Sequence, residues 1–230
     1  MIEKTVKTID GKLKIKIPSL LSEITLGQMM AMQDAPQLND LSAISILSSI
    51  PIQDLQNVCD IRDFDVFGET VLSLSGQIKY LYYTDDIPQK ATFYVDDKAV
   101  VVNVIRNLSV EPAGAFLAAR DIIAEEINEH ITLHGEENWK EHFNPSLKAC
   151  CDVLAHYFYC KITGKKYNEY QVEEFYDTVK QLKITEALPI AKYFFLSYPN
   201  LSRPRTNFFR RLHPFWRKRP AFNRSKSSSM

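Results

Sequence analysis

Glycine is scarce in this chain of 230 residues: seven, none of them clustered. Neither the G-x-x-x-x-G-K loop that cradles phosphates nor the G-x-G-x-x-G turn that admits a dinucleotide can be written from them. The G-x-S-x-G elbow of α/β-hydrolases is missing too. The common routes to nucleotide-dependent and hydrolytic enzymes are thereby closed. Cysteine is equally sparse, with four residues, Cys59, Cys150, Cys151 and Cys160. No C-x-x-C pair exists, which excludes a zinc ribbon and a thioredoxin motif. Three of the four fall in one apolar segment, as expected of buried free thiols in a reducing compartment. Long apolar runs are absent. Stretches such as Ala99-Val100-Val101-Val102 are strand-sized, far from the ~20 residues of a membrane helix. The start, Met1-Ile2-Glu3-Lys4-Thr5-Val6-Lys7, lacks the apolar core of a signal peptide. An intracellular chain with no membrane span and no cofactor is expected.

Net charge is lacking as well, since 28 Lys and Arg balance 28 Asp and Glu. The balance conceals an asymmetry. Nine of the cations and none of the acids lie in residues 203–230, so residues 1–202 hold 19 cations against 28 acids, a net of −9. Such a contrast between parts of a chain points to interaction surfaces. The basic segment interleaves its cations with rings: Phe208, Phe209, Arg210, Arg211, Leu212, His213, Pro214, Phe215, Trp216 and Arg217 follow one another. Nucleic acid suits that pattern, with cations for phosphate and rings for stacking. An acidic membrane surface or an acidic protein partner suits it too. An aromatic peptide that orders in a protein groove is a further option. The prolines and terminal serines predict a disordered tail. In the body, 45% hydrophobic and 24% charged residues suffice for a packed core.

Lys12, Lys14 and Lys16 alternate with Leu13, Ile15 and Ile17, the pattern of a half-buried strand, and Asp10-Gly11 predicts a hairpin turn before it. Ser22 or Thr25 is placed to cap a short helix running to Met32. Leu38, Leu41, Ile44, Leu47 and Ile50 share one face of a second helix over residues 39–49, with Asp40 at its positive end and Pro51 after it. Shorter helical segments follow near residues 53–58 and 64–82. Then the pattern restarts: residues 91–95 and 99–105 read as strands around Asp96-Asp97-Lys98. A shift of 87 positions, without gaps, superimposes Asp10 on Asp97, Leu21-Ser22 on Leu108-Ser109, Gly27 on Gly114 and Ala31 on Ala118. The fold expected is α+β and predominantly α-helical, with two related β-hairpin–helix units followed by helices. The boundaries read as residues 1–89, residues 90–201 and the tail 202–230.

In the second unit Ser109 is a plausible cap and Pro112 a first-turn residue. Phe116, Leu117, Ile123 and Ile127 mark the helix that follows. Asn144-Pro145 opens a helix with Leu147, Cys151, Leu154 and Phe158 on one face. Tyr170, Val172, Phe175 and Val179 mark a third, and Thr185-Glu186 caps a fourth that contains Pro189. Glu126, His130 and His134 share one helix face, but Ile131 stands where a zinc protease carries its glutamate, and a solvated acidic helix end explains them better. His156 lies four residues before Cys160 and five after Cys151. Nothing supplies the third group of a triad, and an apolar helix face accounts for them better. No catalytic or metal site is expected.

The stretch Ser22-Glu23-Ile24-Thr25-Leu26-Gly27-Gln28 resembles the helix entry of tail-assembly and baseplate-assembly chaperones of tailed bacteriophages. Residues 47–55 are similar to that family's "ILSILTGI-x-x-E-x-I" stretch, and residues 182–196 look like a segment of such phage tail proteins. The basic tail is not part of the pattern. The resemblance implies a non-catalytic late protein of the host cytoplasm that binds a phage structural protein, such as a helical tape-measure protein, during virion assembly. Homo-oligomerisation and a DNA-associated virion role through the tail are compatible with it. If the resemblance holds, Met29, Met30 and Met32 form an adaptable apolar surface for the client, although core packing accounts for Met29 and Met32 as well. Phe208, Phe209, Arg210, Arg211, Phe215, Trp216 and Arg217 form a second candidate contact.

Overall fold

Each half of the chain starts with a two-stranded antiparallel hairpin. The computed structural model describes residues 1–197 except residues 37, 82, 83, 85, 97 and 138, and the side chain of Lys79. Strands β1 (Ile2–Thr8) and β2 (Gly11–Ile17) pair with Val6 opposite Leu13. Val6, Ile15 and Ile17 are buried and the lysines between them are exposed, so period-two alternation sets the register. A 3-10 turn (Leu21–Glu23) leads into α1 (Leu26–Asp34). Then come α2 (Asp40–Ser48), α3 (Ile52–Gln56), a 3-10 turn (Ile61–Phe64) and α4 (Asp65–Leu81). The second half repeats the opening with β3 (Lys90–Val95), β4 (Lys98–Asn103), a 3-10 turn (Leu108–Val110) and α5 (Ala113–His134). It continues through α6 (Trp139–His142), α7 (Leu147–Thr163), α8 (Glu169–Lys180) and α9 (Ile184–Ser197).

The 87-residue shift carries into three dimensions. It takes the first residues of β2, the 3-10 turn Leu21–Glu23 and α1 onto those of β4, the 3-10 turn Leu108–Val110 and α5. It also takes the pair Val6–Leu13 onto the observed pair Phe93–Val100. The fold is therefore α+β and predominantly helical, with two related hairpin–helix units. The likeness extends to the ends of α2 and α7. Ser48 Oγ donates to the Ile44 carbonyl (2.6 Å) and accepts from Ile50 N; Thr163 Oγ1 donates to the Tyr159 carbonyl (2.7 Å) and accepts from Lys165 N. The next residues, Ser49 and Gly164, are both left-handed, with φ of 58° and 66°.

Several sequence expectations shift in detail. The first hairpin loop is Ile9-Asp10, one residue earlier than Asp10-Gly11, because Thr8 already pairs with Gly11. Thr25 and not Ser22 caps α1, since Ser22 lies inside the 3-10 turn. Ser109 does not cap α5: it too lies in a 3-10 turn, where its N–H is taken by the Asn107 side chain, and Pro112 sits at the N-cap. Thr185 is the second residue of α9, which starts at Ile184. Asp97, Tyr82 and the tail 202–230 lie outside the described residues.

Helix α7 is the hub. From Ala149 to Tyr159 every residue but Asp152 is buried, the mark of a helix surrounded on all sides, here by α5, α8, α9 and β4. It was expected to bury one face only. The Phe93 ring lies 4.8 Å from that of Phe158, which seats the second hairpin on α7. The halves meet through backbone: Leu26 N donates to the Leu182 carbonyl (2.8 Å) and Ile184 N to the Ile24 carbonyl (2.9 Å). One apolar core runs through both, from Ile24 and Leu47 to Leu154 and Leu188. No helix among the described residues is long and apolar enough to cross a membrane.

Candidate binding grooves

Thr25 fixes where α1 begins. Its Oγ1 accepts from Gln28 N (3.2 Å), and Gln28 Oε1 accepts in return from Thr25 N (3.0 Å). This reciprocal cap satisfies two donors at the helix start. The same Gln28 donates through Nε2 to the Leu47 carbonyl (3.1 Å), tying α1 to the end of α2. With α1 held in that way, Met29 and Met32 line a cavity of about 280 Å³ between α1, α2 and α4. Its other apolar walls are Leu38, Leu47, Val71, Leu74 and Ile78. Met29 and Met32 are three residues apart and share a face; Met30 points elsewhere and is half-buried against the core. The structure thus brings together two of the three methionines singled out by sequence.

A larger groove, of about 750 Å³, lies across the α2–α4 contact. Leu41, Ile44, Leu55, Val58 and Phe64 form its apolar lining, and Ile61 stands on its edge, 81% exposed. Its rim carries the exposed carboxylates Asp40, Asp65 and Glu69. None of these three forms an ion pair with another described residue. The nearby cation Arg62 is engaged by Asp60 at 2.7 Å. Sequence reasoning assigned Asp40 only a helix-end role. The groove is built from elements up to 29 positions apart, and the sole sequence signal was the acidity of residues 54–69.

Of the candidate titratable groups on the second half, Glu126 and His156 are held in structural hydrogen bonds. Glu126 accepts from Ser146 N (2.5 Å) and Ser146 Oγ (3.2 Å), so it reinforces the start of α7. The His130 and His134 rings lie 4.7 Å apart, and burial together with His134 pushes the His130 pKa down. His130 Nε2 is buried without a partner among the described residues, and no group of three ligands there is placed to hold a metal ion. His156 Nδ1 meets the Tyr167 hydroxyl at 2.9 Å, not a cysteine sulfur. Burial pushes the Cys151 thiol up to about 12 and raises Cys150 and Cys160, the opposite of what a thiolate nucleophile needs. Phe208, Phe209, Arg210, Arg211, Phe215, Trp216 and Arg217 lie outside the described residues. No protein-family model, curated protein or solved structure matches the chain.

Proposed function

We propose that this protein is a non-catalytic bacteriophage tail or baseplate assembly chaperone, working in the host cytoplasm. It holds an apolar helical segment of a structural client, such as a tape-measure protein, in the methionine groove. The observation that carries this reading is the groove itself. Two flexible thioethers on α1 face the aliphatic side chains of α2 and α4 across about 280 Å³. Helix-in-groove recognition reads a periodic apolar stripe, and methionine adapts to stripes of differing shape. The client of such a chaperone is long and helical, so adaptability serves it better than a rigid pocket. The helix entry that resembles the phage family, Ile24 to Gln28, is the capping device that orients Met29 and Met32.

Capture of helical tape-measure fragments by the full chain tests the reading. Leu38→Asp, at a site 51% exposed, and Met32→Asp place a carboxylate in the groove. Each is expected to weaken capture by roughly tenfold or more, the factor that about 1.4 kcal/mol produces. Unchanged capture by both variants, with unchanged melting, removes the reading. A second reading, a DNA-associated virion protein, rests on the nine cations of residues 203–230. A mobility shift of DNA that weakens steeply with salt and vanishes when those cations are neutralised favours it. No shift in the unsubstituted chain removes it.

A further inference from the structure

We propose that the acid-rimmed groove between α2, α3 and α4 is the docking site of the chain's own basic aromatic segment, residues 208–219. Both partners are half of a complementary pair. The groove offers an apolar floor, with Ile44, Leu55 and Phe64, under the carboxylates Asp40, Asp65 and Glu69, which form no ion pair with another described residue. The segment offers rings next to cations twice over, Phe208-Phe209-Arg210-Arg211 and Phe215-Trp216-Arg217. Rings fill apolar hollows, and guanidinium groups pair with carboxylates in fixed two-pronged geometry. Residues 208–219 carry five cations and no acid, against a net of −9 for residues 1–202. At about 750 Å³ the acid-rimmed groove is also the larger of the two, the methionine groove being about 280 Å³.

The tether is long enough. Helix α9 ends at Ser197, and the eleven residues from there to Phe208 span up to ~37 Å when extended. Helix α9, from which the tether leaves, packs against α4, one wall of the groove, so the tether need not cross the whole body. The arrangement leaves the methionine groove free, since the two grooves share no lining residue. It does not depend on the client proposed above, and either reading can fail without the other.

The test uses the full chain. Of its two tryptophans, Trp139 is replaced by Phe, which leaves Trp216 as the only indole reporter. A photo-crosslinking benzoylphenylalanine replaces Phe209. The expected result is Trp216 emission of a shielded indole, protected from acrylamide, and crosslinks to peptides within residues 55–69. Asp65→Lys with Glu69→Lys is expected to shift the emission to the red and abolish most of the crosslink. Adding Arg210→Glu and Arg211→Glu is expected to restore both, which an unfolded variant could not do. Raising the salt concentration loosens the contact in the same way. Ile61→Ser probes the apolar part at an exposed position and is expected to lower the crosslink yield. Exposed Trp216 emission in the unsubstituted chain overturns the proposal. So do crosslinks that favour the acidic stretch 125–137, or crosslinks that form between isotopically distinguished copies.

Discussion

In the first hairpin–helix unit the residue two places before α1 is Ile24, fully buried; 87 positions later the same place holds Glu111. Glu111 is also nearly buried, its side chain 6% exposed, and it pairs with Lys161 on α7. The ammonium of Lys161 also lies 3.9 Å from the centre of the Tyr157 ring. One backbone design thus fills the same position with an aliphatic group in one copy and an ion pair in the other. The difference follows from the neighbours. Ile24 meets the α8–α9 junction, where Ile184 N takes its carbonyl, whereas Glu111 faces the hub helix. The glycines that follow differ in a similar way. A Cβ on Gly27 would come within 2.9 Å of Lys180 Cβ and 3.2 Å of its carbonyl oxygen, while one on Gly114 would sit 2.6 Å from the Tyr167 ring. Both copies keep glycine because both bring another segment against the start of the helix, but the segments are different.

The largest expected effect comes from breaking the ion pair. Lys161→Met leaves a nearly buried carboxylate without its partner, at a cost of about 3–5 kcal/mol. Urea unfolding followed by circular dichroism reads that loss directly. Glu111→Ile together with Lys161→Met transfers the first unit's solution to the second. It is expected to recover most of the stability, because a packed apolar pair dispenses with the desolvation of two charges. A double variant as unstable as Lys161→Met alone shows that the two positions are not equivalent.

That pair also marks the limit of what sequence conveys here. The first hairpin was legible because Leu13, Ile15 and Ile17 alternate strictly with lysines, a period that a helix does not have. The repeat was legible because no gap interrupts the 87-residue shift from Asp10 to Ala31. Glu111 and Lys161 lie fifty positions apart, and nothing local says that they meet. The methionine groove was half legible. Three methionines on one short helix drew notice, but only the angle of α1 against α4 decides that Met29 and Met32 line it and Met30 does not. The burial of α7 on every side was hidden for the same reason. Its polar-looking residues, His156, Tyr157 and Tyr159, are buried because each finds a partner elsewhere: Tyr167, the backbone of Ile105 and Gln171.

The glycines give the next largest effect. Gly114→Ala is expected to cost about 1–3 kcal/mol, the range for overpacking, despite alanine's better helix propensity. Gly27→Ala falls in the same range, since Lys180 presents backbone as well as side chain. The comparison sharpens on the second substitution. Tyr167→Ala in the Gly114→Ala background is expected to relieve the clash, seen as a favourable coupling in a double-mutant cycle. Lys180→Ala is not expected to rescue Gly27→Ala, because the obstructing Cβ and carbonyl remain. Equal rescue in both units contradicts the difference described above.

Caps rank below the glycines. Thr25→Ala removes the reciprocal cap with Gln28 and is expected to cost about 1 kcal/mol. Pro112→Ala, the same position in the second unit, removes no side-chain hydrogen bond and is expected to cost markedly less, as thermal melting of the two variants shows.

The smallest effect separates the units by pH. Counted back equally from the left-handed residues that follow α2 and α7, Ser49 and Gly164, the place of Leu41 in the first unit is taken by His156 in the second. Burial holds the His156 pKa below its ordinary value of 6.5, while Glu169 and Asp152 oppose that shift only in part. The folded state therefore resists protonation. Above about pH 6.5 neither state gains a proton and stability is unaffected. As pH falls below that value the unfolded chain protonates first, so stability declines until pH passes the lowered folded pKa. His130, shifted the same way, adds to the slope. Urea midpoints at pH 7.5 and pH 5 are expected to differ less in His156→Gln, which keeps a polar partner for Tyr167 without a titrating ring. An unchanged difference assigns the acid sensitivity elsewhere, whereas a flattened one places it in the second unit, where the first has only aliphatic packing.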